Sequence, residues 1–147
     1  MDSIADKLAI QDLNNLYAYY IDMFEVDKWV DCFTKDAVFD ETGVGNDVRT
    51  GHDPLRAFAL RLTERVHRVV HLMSNHIIMD QTKDTARGEC FAVVEVAYAD
   101  GQRFRNHVRY VDRYKKVDGA WKIENRKAYT TFPREMLEPM TLQKESI

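Results

Sequence analysis

At 147 residues, with 45% hydrophobic and 31% charged side chains, the chain has the balance of one globular domain that can bury a core. Its formal net charge is −3 and it contains no long basic run, which argues against a nucleic-acid partner. No signal peptide opens the sequence and no apolar run reaches the roughly 18 residues of a membrane span, so we expect a cytoplasmic protein without a membrane segment.

The first predicted helix carries the residue on which the functional argument depends. Ser3 followed by Asp6 is a variant of the capping box, and apolar residues recur at helical spacing up to about residue 24 or 25. Residues 13–24 are apolar or aromatic almost all the way round, which is typical of a buried helix. Asp22 lies in that stretch. A carboxylate there must be paired, hydrogen-bonded, exposed at the helix end or neutral, and we expect Asp22 to face a pocket.

Two shorter helices and a short strand complete the predicted first half. The pattern predicts an amphipathic helix over residues 26–33 and a strand over residues 37–39. Residues 40–51 are rich in glycine and polar side chains and predict a loop or loose hairpin, either a plain connection or a mobile rim over a pocket. Asp53 as N-cap and Pro54 at the first helical position begin a third helix that continues to residue 65.

The second half changes to the alternation of strands. Strands are predicted over residues 66–80, 85–99, 102–117 and 120–132, with Asp-Gly turns at 100–101 and 118–119 and an irregular tail after Pro133. This order predicts an α+β fold over residues 1–147, a cone-shaped barrel in which three N-terminal helices pack on a curved antiparallel sheet, with its core at about 4–132. A cavity between helices and sheet is a common location for a small-molecule site.

His71 is the predicted partner of Asp22. Alternation places it on one face of its strand with His67, Met73, Asn75, Ile77 and Met79, but does not say whether that face is concave. His71 could be a hydrogen-bonded core residue and nothing more. If it meets Asp22, the carboxylate fixes the imidazole tautomer and leaves the other ring nitrogen free as a general base. Tyr17, on the same helix as Asp22, could border the pocket and polarise a substrate oxygen.

The sequence predicts neither a metal site nor a cofactor. His67 and His71 are four residues apart, which on a strand separates them by roughly 13 Å, too far to share one metal ion. Cys32 and Cys90 lie far apart among apolar neighbours, as expected of buried, reduced thiols. Basic residues alternate along the third long strand and predict a solvated sheet face: Arg103, Arg105, Arg109 and Arg113.

The order of elements and three stretches resemble the SnoaL-like family, within the nuclear-transport-factor-2-like superfamily of cone-shaped α+β barrels. The stretches are residues 9–13 with Tyr17 and Asp22, residues 70–75, and residues 114–123. The last stretch resembles a frequent hairpin of the superfamily and concerns the fold alone. Asp22 and His71 resemble the catalytic dyad of a dehydrochlorinase of this family, and Tyr17, Asp22 and His71 also resemble positions used by its dehydratases. The dehydratases place a further His or Asp on the next strand, where this chain has Val94 or a neighbour.

The resemblance implies a cofactor-independent lyase or isomerase of the dehydratase or dehydrochlorinase type. His71 would abstract a proton from carbon, Asp22 would orient His71 and stabilise its charged form, and Tyr17 would assist the leaving group or an oxyanion. Other members of the superfamily have no catalytic activity. A non-catalytic module for ligand binding or subunit assembly is therefore the alternative.

The predicted pocket suits a small hydrophobic or polycyclic molecule such as a polyketide, a steroid or an aromatic compound. Six residues are expected to line it: Trp29, Phe33, Phe39, Phe58, Met73 and Tyr129. We expect a homodimer, or a higher homo-oligomer, formed through the outer face of the sheet. The sequence leaves open whether Glu95, Lys116 or Arg126 reaches the pocket.

Overall fold

The computed structural model describes residues 3–142. Within this range the helices are α1 (Ile4–Asp22), α2 (Val26–Asp31) and α3 (His52–Arg65). The strands are β1 (Phe33–Gly43), β2 (Val48–Thr50), β3 (Val66–Met79), β4 (Thr85–Tyr98), β5 (Arg103–Val117), β6 (Ala120–Thr130) and β7 (Glu135–Leu137). No helix in the part of the chain that the structure describes is long and apolar enough to cross a membrane.

The sheet has the strand order β2-β1-β6-β5-β4-β3, and β7 pairs with β5 off this path. Strands β3 to β6 form the predicted antiparallel meander, while β1 pairs with β6 in parallel. A parallel pair needs a long connection, which α3 and the meander provide. The sheet is therefore mixed, and it curves without closing into a barrel. The predicted α+β class, with three helices packed on a curved sheet, is confirmed.

Helix α1 begins as predicted and ends slightly earlier. The Ser3 hydroxyl accepts a hydrogen bond from the backbone N–H of Asp6 at 3.2 Å. Phe24 adopts a left-handed φ of +57°, which terminates the helix and leaves Asp22 as its last residue. Burial is also less complete than expected, since Leu16 is 43% and Tyr19 57% exposed. One face of α1, not its whole circumference, packs on the sheet.

Several further boundaries differ from the sequence prediction. The second helix ends at Asp31 and not at residue 33, and the strand predicted over residues 37–39 covers Phe33–Gly43. With β2 it forms a hairpin, which is one of the alternatives predicted for residues 40–51. The N-cap of α3 is Gly51 and not Asp53, because the helix begins at His52. Gly51 takes a φ of +83°, a conformation that favours glycine. The tail after Pro133 is not wholly irregular, since β7 pairs with β5 through partners such as Arg103 and Leu137.

An aromatic cluster fills the space between the helices and the sheet. Its members are Tyr17, Trp29, Phe33, Phe39 and Phe58, and their ring centroids lie 5.1 to 6.4 Å apart in the tilted or edge-on contacts typical of packed aromatic rings. Both cysteines are free and buried, as predicted. Burial raises the pKa of each thiol to about 12, so neither is poised as a nucleophile.

Candidate active site

A cavity of about 340 Å³ opens between the helices and the concave face of the sheet. Its apolar wall comes from α3 and the inner faces of β3, β4 and β5, including Phe58, Leu62, Val69, Val94, Val96 and Val108. Polar and charged side chains make up about half of the lining residues, so the cavity combines an apolar wall with groups that can orient a small molecule. His71 lies among them.

Asp22 and His71 form a two-point hydrogen-bonded pair at the cavity wall. The His71 Nδ1–H donates to Asp22 Oδ1 at 2.6 Å, and the His71 backbone N–H donates to Asp22 Oδ2 at 2.8 Å. The two side chains are 10% and 11% exposed. A carboxylate only accepts, so Nδ1 must carry the proton of the neutral imidazole. Nε2 then keeps its lone pair, and it has no hydrogen-bond partner within residues 3–142.

A bulge in β3 decides which side chains share the concave face. Asn75 has a φ of +52°, and the register with β4 shifts between Ser74 and Ile77. His71 and Met73 point inward before the bulge, whereas His76 points inward after it and Ile77 is 58% exposed. The predicted alternation was therefore wrong beyond Met73, and also at Val66, which lines the cavity because the register shifts between Val66 and Arg68. Simple alternation fails beyond Met73 because the bulge adds one residue to β3.

Tyr17 lies next to the pair but one layer behind the cavity wall. It is 3% exposed, and its ring centroid is 6.3 Å from that of His71 and 6.1 Å from that of Tyr110. Tyr110 itself lines the cavity. Burial raises the pKa of both phenols above the ordinary tyrosine value, so both hydroxyls stay protonated at neutral pH.

The β1–β2 hairpin supplies two site residues that sequence reasoning missed. Arg49 Nη1 donates to Glu41 Oε2 at 2.5 Å, and the Arg49 guanidinium lies 4.0 Å from the centroid of the Phe58 ring. Burial raises the pKa of Glu41, although Arg49 acts in the opposite direction. The available signal was the glycine-rich turn, because a hairpin there pairs Phe39 with Arg49 and turns both inward.

Asn106 is a further residue that sequence reasoning missed. It lines the cavity from β5, and its side-chain oxygen is buried without a hydrogen-bond partner among the described residues. The only sequence signal was an uncharged polar residue at an inward position of a strand that otherwise alternates basic and apolar residues. Its side-chain oxygen is therefore an unsatisfied hydrogen-bond acceptor within the cavity wall.

The six predicted lining residues separate into four groups. Phe58 lines the cavity, whereas Trp29, Phe33 and Phe39 are fully buried in the aromatic cluster behind it. Met73 is partly buried and packs against the same core. Tyr129 lies on the outer face, 38% exposed, because its β6 neighbour Ala128 takes the inward position.

The three residues left open by the sequence do not line this cavity. Lys116 Nζ donates to Asp6 Oδ1 at 2.7 Å near the start of α1. Glu95 pairs with Arg103 and Arg105 across the outer sheet face at 2.6 and 3.1 Å. Arg126 is fully buried behind Tyr17 and Tyr110, paired with Asp112. Across residues 3–142, no group of three or more His, Cys, Asp or Glu side chains could hold a metal ion.

Comparison with known proteins identifies a family whose model matches most of the chain. The family model described as the SnoaL-like domain matches residues 2–127. A candidate aromatic ring hydroxylase from Novosphingobium aromaticivorans is 28% identical with a TM-score of 0.89, over 93% of this chain and 96% of that one. A candidate scytalone dehydratase from the same organism is 20% identical with a TM-score of 0.83, over 98% and 97%.

A hexachlorocyclohexane dehydrochlorinase, LinA type 2, is 19% identical with a TM-score of 0.84, over 98% of this chain and 97% of that one. At 20% and 19% identity, the similarity of this chain to the dehydratase and to the dehydrochlorinase shows a shared fold and nothing more. No relative was found among curated proteins.

Proposed function

The chain belongs to the SnoaL-like domain family, and we propose that it is a cofactor-independent lyase or isomerase acting on a small hydrophobic or polycyclic molecule. The observation that carries this proposal is the Asp22–His71 pair at the cavity wall, with Nε2 of His71 unpartnered within residues 3–142. Two structural neighbours are named for eliminations, a scytalone dehydratase candidate and a dehydrochlorinase, which agrees with this reaction class.

In the proposed reaction, Nε2 of His71 takes a proton from a carbon of the substrate. In an elimination, the electron pair of the broken C–H bond forms the new double bond while the leaving group departs with its own bonding pair. In an isomerisation, the imidazolium returns the proton to a different carbon. Asp22 stabilises the imidazolium through the 2.6 Å hydrogen bond and holds the ring in orientation.

Tyr17 acts in this proposal mainly through its neighbours. Its ring packs against His71 and Tyr110, and its hydroxyl is buried behind the wall. It therefore helps to orient the imidazole, while the Tyr110 side chain at the cavity surface is the phenol nearer to a leaving group or an oxyanion. We propose Tyr17 as a positioning residue for the dyad.

The activity test compares the parent protein with His71→Gln and uses His107→Gln on the outer face as a matched control. Each is incubated in D₂O with a panel of hydroxylated, chlorinated and enone compounds, and NMR follows deuterium exchange and product formation. Because a general base contributes about 10²- to 10⁴-fold, we expect a loss of that size in His71→Gln and parent activity in His107→Gln. Full activity of His71→Gln on a compound that the parent converts would contradict the proposal.

A second measurement needs no substrate. In ¹⁵N-labelled protein, the ring nitrogens of neutral His71 should show Nδ1 protonated and Nε2 unprotonated. Asp22→Asn replaces one acceptor oxygen by an N–H donor, so we expect a change in the tautomer population. If neutral His71 in the parent carries its proton on Nε2, it cannot act as the base, and the enzyme proposal fails.

The proposal also includes a second copy of this chain as a partner. Val70 and Leu72 of β3 are 48% and 63% exposed on the outer face, next to Phe91 of β4 at 37%. This apolar face also favours the alternative function, in which the domain binds a ligand or supports an assembly without catalysis. The activity test separates the two, because only an enzyme depends on the ring nitrogen of His71.

A further inference from the structure

Three arginines surround the mouth of the cavity without a carboxylate partner. Arg61 and Arg65 lie one turn apart on α3, and Arg134 follows β6; all three are exposed and line the cavity. Arg134 is held in place by the Phe104 ring, 4.3 Å from its guanidinium, and donates to the Val44 carbonyl at 3.4 Å. In the described part of the chain, none of the three lies within ion-pair distance of Asp or Glu.

The other arginines behave differently. Seven are paired with a carboxylate, and Arg68 also has an interaction partner; the seven are Arg49, Arg56, Arg87, Arg103, Arg105, Arg109 and Arg126. Arg113, on the outer sheet face, has no such partner in residues 3–142 and is an ordinary solvated residue on an open surface. The remaining unpaired arginines of this range therefore concentrate at one cavity.

The charges at this cavity are unbalanced in favour of cations. Two carboxylates of the described residues line it, and one of them, Glu41, is already paired with Arg49. Asp47 is exposed and is the other. The chain as a whole has a net charge of −3, so the positive charge here is local. Such a cluster around a low-dielectric cleft attracts anions.

The arrangement separates an exposed cationic mouth from an interior whose wall is apolar beside His71. The three arginines are exposed, whereas His71 and the valines of β3 and β4 beside it are largely buried. A guanidinium fork matches the geometry of a carboxylate and can bind it through two parallel hydrogen bonds. A molecule with an apolar ring and a carboxylate would satisfy both regions.

We propose that the ligand of this cavity is an aromatic or alicyclic carboxylate, its carboxylate held by Arg61, Arg65 and Arg134 and its ring against the apolar wall near His71. The inference rests on the proposed function in that it names the substrate class of the same site. It also extends that function, because the Asp22–His71 pair by itself requires only a hydrophobic molecule.

The test uses 2-naphthoate and its neutral isostere 2-naphthamide, with binding to the full chain measured by calorimetry and by NMR shifts of cavity residues. We expect 2-naphthoate to bind at least about tenfold more tightly than the amide at low salt, and this preference to shrink as salt is added. The variant R61Q/R65Q should lose the preference, and Arg134→Gln should weaken it. Arg113→Gln is the matched control and should keep it.

Equal affinity for the two probes would overturn the inference, as would absence of 2-naphthoate binding or an equal loss in Arg113→Gln. This failure and failure of the proposed function are distinguishable, because the tautomer and the reaction of His71 are measured separately from the preference for the carboxylate. If a reaction depends on His71 but the protein does not prefer the carboxylate, the proposed function is supported and the anion site is refuted. A preference for 2-naphthoate with His71 in the wrong tautomer would support the anion site and refute the proposed base.

Discussion

At the scale of single residues, the polar core behind the dyad is built around a buried ion pair. Arg126 donates from Nε to Asp112 Oδ1 at 2.9 Å and from Nη2 to Oδ2 at 2.8 Å, with both side chains inaccessible to solvent. Its guanidinium lies 4.2 and 4.4 Å from the ring centroids of Tyr17 and Tyr110. The pair therefore fixes the two aromatic rings that stand behind and beside His71.

Removing the carboxylate of this pair should be strongly destabilising. In Asp112→Asn, the buried guanidinium would keep its charge without a charged partner, which typically reduces the free energy of unfolding by about 3–5 kcal/mol. Asp80→Asn is the control, because the Asp80–Arg87 pair is more than half exposed and such pairs contribute about 0–1 kcal/mol. Urea unfolding of both variants measures the difference, and equal losses would contradict the expectation.

His76 should make stability depend on pH. Burial lowers its pKa, with Arg126 acting in the same direction, and its Nδ1 lies 3.5 Å from the side-chain nitrogen of Asn14. Below the ordinary histidine pKa the unfolded chain binds a proton that the folded chain does not, so the unfolding free energy falls as the pH falls. His76→Gln should reduce this fall between about pH 7.5 and pH 5.5.

The control for that measurement is His107→Gln. His107 lies on the outer face with its ring 5.5 Å from that of Phe132, away from Arg126. Urea unfolding at the two pH values should show a smaller pH dependence in His76→Gln than in the control. An unchanged pH dependence in His76→Gln would show that this residue contributes nothing to it.

At the scale of elements, the bulge in β3 determines which side chains share the concave face. Asn75 takes the left-handed conformation, so the inward position passes to His76, whose Nδ1 lies near the side chain of Asn14 on α1. Without the extra residue, Ile77 would turn inward and His76 outward. The bulge therefore lets β3 contribute His71 to the cavity and His76 to the polar core.

Substitution of Asn75 tests this conformation directly. A β-branched residue is strained in the left-handed region by about 1–2 kcal/mol, so Asn75→Val should lower the unfolding free energy by that amount. Asn75→Gly is the matched control and should change it by less than about 0.5 kcal/mol, since glycine accepts a positive φ. Comparable stability of the two variants would show that residue 75 does not need this backbone conformation.

Several elements could be predicted because local signals and burial agree. The Asp-Gly turns marked the ends of the long antiparallel strands, and a carboxylate in an apolar helix required a partner such as His71. The bulge at Asn75 left no trace in the alternation. The parallel pairing of β1 with β6 depends on residues brought together only by the complete sheet, whereas the Glu41–Arg49 contact lies within the β1–β2 hairpin and was missed because residues 40–51 were not assigned a strand register.

At the scale of the whole molecule, the cavity and the apolar outer face lie on opposite sides of the sheet. The outer face carries Val70, Leu72 and Phe91, bordered by the ion pairs of Glu95 with Arg103 and Arg105. A contact between copies through this face would cover exposed apolar side chains and leave the cavity mouth open to solvent. Self-association and ligand binding should therefore be separable by mutation.

Leu72→Glu tests that separation. A carboxylate at the centre of the apolar face would be desolvated in the dimer, so we expect the dissociation constant to rise at least about a hundredfold. Light scattering after size exclusion should show a dimer for the parent and a monomer for Leu72→Glu. Leu60→Glu is the matched control, because Leu60 is also about half exposed but lies on α3, and it should stay dimeric.

The same variant connects the outer face to the site. Because Leu72 points away from the cavity that His71 lines, monomeric Leu72→Glu should bind 2-naphthoate with the affinity of the parent and keep the His71 tautomer. If the parent protein is a monomer in solution, the homodimer is refuted. The outer face would then be available to a different partner, as required if the domain is a non-catalytic module for subunit assembly. Loss of 2-naphthoate binding on dissociation, in a folded monomer, would instead show that the cavity needs the second copy to be complete.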